Sequence, residues 1–385
     1  MKKVTSGIMR FFQNFSFLEN HIEHIKHIEF KGKIMLFSVF SKANFKTSRV
    51  LTTSLTTSLT TALMAVCFLI LPAAPSAAQQ KTVTIKLASL APENTPWGAA
   101  LNKLAADWGE ATNGAVKLVV YHNGVAGGEA DVLRKLRLNQ IQAAVFTSSG
   151  MTLISPSIIT LSCPFLIRTD DELDTVLDKL RPRLEADINK AGFVTVAWSK
   201  VGWVRFFSRK PVYVPSDMKK QRLAVGNDMP SLNDAFRTMG YQLVETSLND
   251  VLVSLNSGAI DAVFQSPVNA AVSQLFGIAK NMSTLRIAPF MGAIVLNQAA
   301  WRSIPNQYKD KLMDIGRGVE IQNNQNVKKM ENDAIDAMLK NGLIINECTP
   351  AQEQEWIDDV NGVMPQLLNK TFDKELYNDI KNVLK

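Results

Sequence analysis

Side chains able to do covalent or metal chemistry are few in this 385-residue sequence, and fewer stand at spacings such chemistry needs. His21, His24 and His27 recur every three residues, so a helix would carry them along one side. Beyond them only His122 remains, without a Cys-x-x-Cys or His-Glu-x-x-His companion, so no zinc site is expected. Cys163 and Cys348 have no visible base partner to activate a thiolate, and their separation supplies no geometry for pairing. Thr147-Ser148-Ser149-Gly150 is rich in hydroxyls, but no histidine is near in sequence. Asp170 and Asp171 are adjacent carboxylates at a helix start, where negative charge is favoured anyway. Neither a Gly-x-Ser-x-Gly elbow nor a phosphate-binding glycine loop is present. This inventory argues against an enzyme, predicts no cofactor, and leaves binding as the chemistry to explain.

The formal charge of +7 is concentrated at the start of the chain. Residues 1–78 hold nine of the 42 Lys/Arg and three of the 35 Asp/Glu, leaving 33 and 32 in the remainder. A nearly neutral body has no basic footprint for nucleic acid and no polybasic membrane patch. Lys42, Lys46 and Arg49 precede a Ser/Thr-rich approach, an apolar run over residues 62–71, and Ser76-Ala77-Ala78. That order reads as a secretory signal with cleavage after Ala78, placing the protein in the periplasm and removing the three spaced histidines. The run is short and closed by Pro72 and Pro75, which disfavours a membrane span. Cys67 lies in a poor lipoprotein box.

The elements that must position any binding residues alternate between strand and helix. Residues 82–88 alternate as a strand, and Trp97, Leu101, Leu104 and Trp108 mark one helical face. A strand over 116–121, a helix over 130–138 and a strand over 143–146 complete a β-α-β-α-β unit. The same architecture returns over 215–267, with strands at 221–225, 241–244 and 259–265 and helices at 230–239 and 248–255. Such alternation predicts parallel sheets flanked by helices, with ligands outside the carboxyl ends of the strands. Between the units, 161–166 reads as a strand crossing between domains, followed by a helix over 170–191 and strands at 193–198 and 203–208. A strand at 294–296, a long helix over 305–340 and helices over 350–368 and 374–384 finish the chain.

The second unit carries Asp217-Met218-Lys219-Lys220-Gln221-Arg222-Leu223-Ala224-Val225, then Gly240, Gly258-Ala259-Ile260-Asp261-Ala262 and Pro267. In that order and spacing it resembles the matching part of the extracytoplasmic solute-binding proteins of TRAP (tripartite ATP-independent periplasmic) transporters, the DctP-like family. The resemblance extends to the opening strand and loop, the turn and helix of 124–139, Pro164-Phe165 and the long helix. It implies an α/β, two-lobed periplasmic binding protein fold with a ligand cleft between lobes and a helix spanning both. Lobe I would comprise 79–200 with part of 284–385, and lobe II 201–283. The long helix of 305–340 and the terminal helices of 341–385 would complete the body.

The family usually holds a ligand carboxylate with an arginine that here falls on Ala224, while a second arginine position falls on Val204. Arg222, two residues earlier on the same strand face, is the substitute to test; a one-residue slip would bring Arg205 to the Val204 position but would turn the strand over. Other cleft positions fall on Leu90, Ser148, Gln265 and Ser266. Trp97, Phe146, Met151, Phe165, Trp203, Phe264 and Met291 are further candidate lining residues. Losing charged groups to Leu90, Val204 and Ala224 favours an apolar or amphipathic organic ligand. The alternative is ordinary organic-acid binding through Arg222; a ligand sensor or exported enzyme ranks lower. The resemblance further implies TRAP membrane permease subunits as partners. The pattern is similar to the branch that lacks the arginine and works with a lipoprotein of tetratricopeptide (TPR) repeats.

Overall fold

The computed structural model describes residues 82–226, 230–246 and 250–385; the leader, its cleavage site, the three spaced histidines and Leu248 lie outside them. β1 (Val83–Ala88), β2 (Val116–Tyr121) and β3 (Ala143–Thr147) run parallel in the order β2-β1-β3. Between them, α1 (Pro96–Ala111) is capped by the Thr95 hydroxyl, which accepts from Gly98 N–H at 3.2 Å, and buries Leu101, Leu104 and Trp108. α2 (Glu129–Arg137) buries Val132, Leu133 and Leu136, as its periodicity predicts. The short α3 (Ser148–Ile154) follows β3 without a loop.

Residues 161–166 do not form the crossing strand. They contain the end of a 3-10 helix, Pro156–Ser162, and a turn. Pro164 has no N–H to give a ladder, and Phe165 sits at φ +58°, outside extended space. The crossing falls instead to two longer strands. After α4 (Asp170–Lys190), β4 runs unbroken over Phe193–Ser208 where two strands were expected. Bulges between Thr195 and Ala197 and between Lys200 and Gly202 let it bend without ending.

The short α5 (Pro215–Met218) leads into β5 (Arg222–Val225), α6 (Pro230–Thr238), β6 (Gln242–Glu245), α7 (Val251–Ser257) and β7 (Ala262–Gln265). β5, β6 and β7 are again parallel, in the order β7-β5-β6. α8 (Pro267–Val272) follows β7, and β8 (Asn281–Ser283) pairs with β4. β9 (Ala288–Asn297) is the second crossing strand, antiparallel to both β3 and β4. One sheet thus runs β2-β1-β3-β9-β4-β7-β5-β6 through two α/β lobes.

The chain closes with α9 (Gln298–Ser303), α10 (Asn306–Lys340), β10 (Ile344–Asn346), α11 (Pro350–Leu367) and α12 (Lys374–Val383). β10 pairs with β8, a short ladder too brief to read from periodicity. Four apolar clusters fill the two lobes, one containing Trp198, one Phe206, one Trp108 and one Phe207. α10 buries Leu312, Val327 and Met338 together with Glu320, Asn323 and Glu331. Those polar side chains meet the backbone of β4.

Candidate functional site

Strand register places the functional region. Thr147, at the carboxyl end of β3, pairs with Gly292 of β9, which pairs with Ser199 of β4. Gln265, at the carboxyl end of β7, pairs with Arg205. Five residues of β4, about 20 Å of strand, separate these points. The parallel strands of the two lobes therefore aim their carboxyl ends at one another across a gap floored by β4 and β9. Phe290, half-buried, stands opposite Gly202 on that floor.

On lobe II several apolar side chains are left only half-buried at the edge of the core. Phe165, Val204, Leu243 and Phe264 are half-buried and pack on the cluster that contains Phe206, Phe236 and Trp356. The rings of Phe236 and Phe264 lie 5.4 Å apart and tilted by 49°. Three backbones bind side by side: Phe165 N–H donates to Ile287 C=O at 2.8 Å, and Ile287 N–H donates to Val204 C=O at 3.0 Å. A bulky residue held at φ +58° stores strain of order 1 kcal/mol, which these contacts hold in place.

Lobe I contributes a small recess bounded by Ala88, Ser89, Leu90, Gly124, Ala126, Glu129 and Phe146. Leu90 is exposed at its lip, with 43% of its surface accessible. Trp97 stands in the first turn of α1, half-buried, its indole N–H shielded without an acceptor.

Charged groups gather at the crossing. Trp203 donates its backbone N–H to Glu331 Oε1 at 2.8 Å and its indole N–H to Asp170 Oδ1 at 2.9 Å. Arg286 lies over the same indole, 5.2 Å from the ring centroid, and donates to Asp170 Oδ2 at 3.4 Å. Burial raises the Glu331 carboxyl above its ordinary range, opposed by the Trp203 N–H and by the Arg205 and Arg286 charges. Arg205 donates to Thr284 C=O, while its Nε is shielded and has no partner. Burial lowers its pKa, with Glu331 opposing.

Of the residues singled out from sequence, Leu90, Phe165, Val204, Phe264 and Gln265 stand half-buried or exposed near the facing strand ends. Phe146 and Met151 are core, and Ser148 is sealed by its hydroxyl, which donates to Met291 C=O at 3.0 Å and accepts from Met291 N–H at 3.3 Å. Trp203, Ala224 and Met291 are also buried, Ala224 in the apolar cluster that includes Val251, Leu255 and Met338. Arg222 is the correction. It opens β5, at the end away from the gap, and its guanidinium grips Asp261 through Nε at 2.8 Å and a terminal nitrogen at 3.0 Å. That ion pair accounts for a residue read as a possible carboxylate ligand.

Sequence reasoning passed over Glu129, Glu320 and Glu331, whose carboxylates bind backbone N–H groups far along the chain. Gly127-Gly128-Glu129 and Gly202-Trp203 were the available signals, since glycine permits close approach of another group. Among the described residues no His/Cys/Asp/Glu group could hold a metal ion, and no helix is long and apolar enough to cross a membrane. Cys163 and Cys348 are free thiols, and burial raises the pKa of both.

A family model for bacterial extracellular solute-binding protein, family 7 (DctP), matches residues 87–371. The chain belongs to that family. As a family 7 solute-binding protein it has distant relatives. The C4-dicarboxylate-binding protein DctB of Bacillus subtilis is 21% identical over 310 residues, covering 80% of this chain and 88% of the relative. A TRAP periplasmic solute binding protein from Chromohalobacter salexigens, with bound D-glucuronate, superposes with TM-score 0.72 at 20% identity over 78% of this chain and 99% of its own. One from Sulfurospirillum deleyianum, with bound succinate, gives 0.70 at 21% over 79% and 99%. The solved structures share this two-lobed fold. Membership in an extracellular binding family places the protein outside the cytoplasm in a binding role.

Proposed function

We propose that this family 7 protein is the periplasmic receptor of a TRAP transporter. It captures an apolar or amphipathic organic solute by closing its lobes and delivers it to a membrane permease. What supports this reading is that the position where the resemblance to TRAP binding proteins expects a carboxylate-binding arginine is the buried Ala224, while the neighbouring Arg222 is bound to Asp261. Phe165, Val204, Phe264 and Leu90 then supply a wall suited to hydrocarbon. The reading includes export by the signal of residues 1–78 with cleavage after Ala78, and a lipoprotein of TPR repeats as an additional periplasmic partner. The place of β4 and β9 as the crossing strands supports hinge closure about them.

A second reading is favoured by one specific observation. Arg205 keeps a shielded, unpartnered Nε beside the gap, and the solved relatives include proteins with bound succinate and D-glucuronate. Under that reading an organic acid is held by Arg205 rather than Arg222. Native mass spectrometry of the protein purified from the periplasm, followed by organic extraction, separates the two. A long-chain or lipid-like molecule supports the apolar cleft. A small polar acid overturns it in favour of Arg205. A pull-down recovering permease subunits but never a TPR protein removes that partner.

A further inference from the structure

A second concavity lies at the end of lobe I away from the gap. Val194 of β4 pairs with Leu296 of β9, which pairs with Ala143, the first residue of β3, so the lobe I strands present their amino ends here. Thr195 lies about 13 Å along β4 from Ser199, which marks the lobe I side of the gap. Beside Val194 and Thr195 opens a cavity of about 430 Å³, walled by Trp301 and Arg302 of α9, Met313 of α10 and Glu185 of α4. That volume is within the range of small-molecule sites.

Thr195 is 4% exposed, and its hydroxyl is shielded without a hydrogen-bond partner in the protein. A buried polar group of this kind costs free energy until a partner meets it. The charges around the cavity are unequal. Glu185 lies 3.5 Å from Arg181, which also binds Glu320. On α10, Lys309, Asp310 and Arg317 fall within one turn of Met313 on its side of the helix, and Lys309 lies 5.6 Å from the Trp301 ring centroid. Asp187 and Lys190 pair with each other. The four cations Arg181, Arg302, Lys309 and Arg317 therefore stand against the three carboxylates Glu185, Glu320 and Asp310. Arg302 is the cation that borders the cavity, and it is exposed with no ion pair among the described residues.

We propose that this cavity is a second binding site, separate from the cleft, for a small organic anion with an aromatic body and a polar substituent. The carboxylate meets the Arg302 guanidinium, whose planar fork matches two oxygens. The ring lies against Trp301, Met313 and Val194, and the substituent meets the Thr195 hydroxyl. The site does not depend on which solute the cleft takes.

The test is fluorine NMR of the periplasmic protein labelled with 5-fluorotryptophan, the Trp301 resonance being assigned from Trp301→Phe. The probes are 3-(4-hydroxyphenyl)propanoate, its uncharged amide, and 3-phenylpropanoate. The first should shift the Trp301 resonance saturably, with a dissociation constant below about 1 mM. Arg302→Gln, at an exposed position, should weaken it about threefold or more while leaving the amide within about twofold. Thr195→Val, which removes only a hydroxyl without a partner, should weaken the hydroxyphenyl probe about threefold or more and leave 3-phenylpropanoate within about twofold. A Trp301 resonance that does not saturate overturns the site. So does an affinity unchanged by Arg302→Gln, since the probe would then be bound elsewhere, or an equal loss of acid and amide. Equal effects of Thr195→Val on the two acids overturn the contact with its hydroxyl.

Discussion

Glu331 of α10 accepts the backbone N–H of Trp203 at 2.8 Å, and Gly202, the preceding residue, holds φ +117° with no room for a Cβ beside that carboxylate. The long helix therefore grips β4 on the lobe II side of its second bulge. On the lobe I side Glu320 accepts Trp198 N–H at 2.9 Å, Asn324 accepts Lys200 N–H at 3.0 Å, and Asn323 donates to Lys200 C=O at 3.2 Å. Bulges leave ladder groups unpaired, and α10 satisfies them with side chains. The strand that joins the lobes is thus fixed on both sides of its bend.

Gly202→Ala adds a Cβ that would stand 2.7 Å from Glu331 Oε1, on a backbone that disfavours any side chain. We expect a loss of about 2–4 kcal/mol, from positive-φ strain and displacement of the Glu331 acceptor. The urea midpoint checks this; a change within experimental error would refute the close-approach argument.

Burial raises the folded-state pKa of Glu331 above the ordinary value of 4.5. The folded protein then holds a proton that the unfolded chain has released, so this group's contribution is fully present below pH 4.5 and lost as pH rises through the folded pKa. Glu331→Gln keeps an acceptor for Trp203 N–H and removes the titration. The decline in stability above pH 4.5 should be shallower in the variant, as read by urea midpoints across the pH series.

Arg181 donates from both terminal nitrogens to Glu320, which is 8% exposed at its side chain. Arg181→Ala strands that carboxylate and should cost about 2–4 kcal/mol, allowing for the 26% exposure of Arg181. Adding Glu320→Gln should recover part of the loss. A double-mutant cycle by chemical denaturation measures the coupling, and strictly additive losses would show that the pair is not coupled.

Arg222→Ala removes the pair with Asp261 at the far end of β5. Affinity for the solute extracted from the native protein should stay within about twofold, because a surface pair contributes little to a distant cleft. A tenfold loss would return Arg222 to the ligand site.

Phe264→Ala withdraws a half-buried ring from the lobe II wall. If the solute packs there, affinity should fall by about 1–3 kcal/mol, the scale of an aromatic surface kept dry by the ligand. Calorimetry at matched saturation of folded protein provides the check, and an unaltered dissociation constant would take Phe264 out of the wall.

The sequence by itself determined the two parallel units. The inward residues Leu101, Leu104 and Trp108, and Val132, Leu133 and Leu136, recur at helical spacing because burial of one face requires it. The long helix was legible for the same reason, since it depends on local spacing. Tertiary structure alone decided the fate of the charges. Arg222 was matched to Asp261 across 39 residues, and Glu331 to Trp203 across 128. Nothing in the spacing of α10 singles out Glu320 and Glu331, yet β4 offers them backbone N–H groups beside its bulges. A carboxylate is buried only where donors meet it, and donors brought from elsewhere in the chain leave no periodic trace in its own neighbourhood.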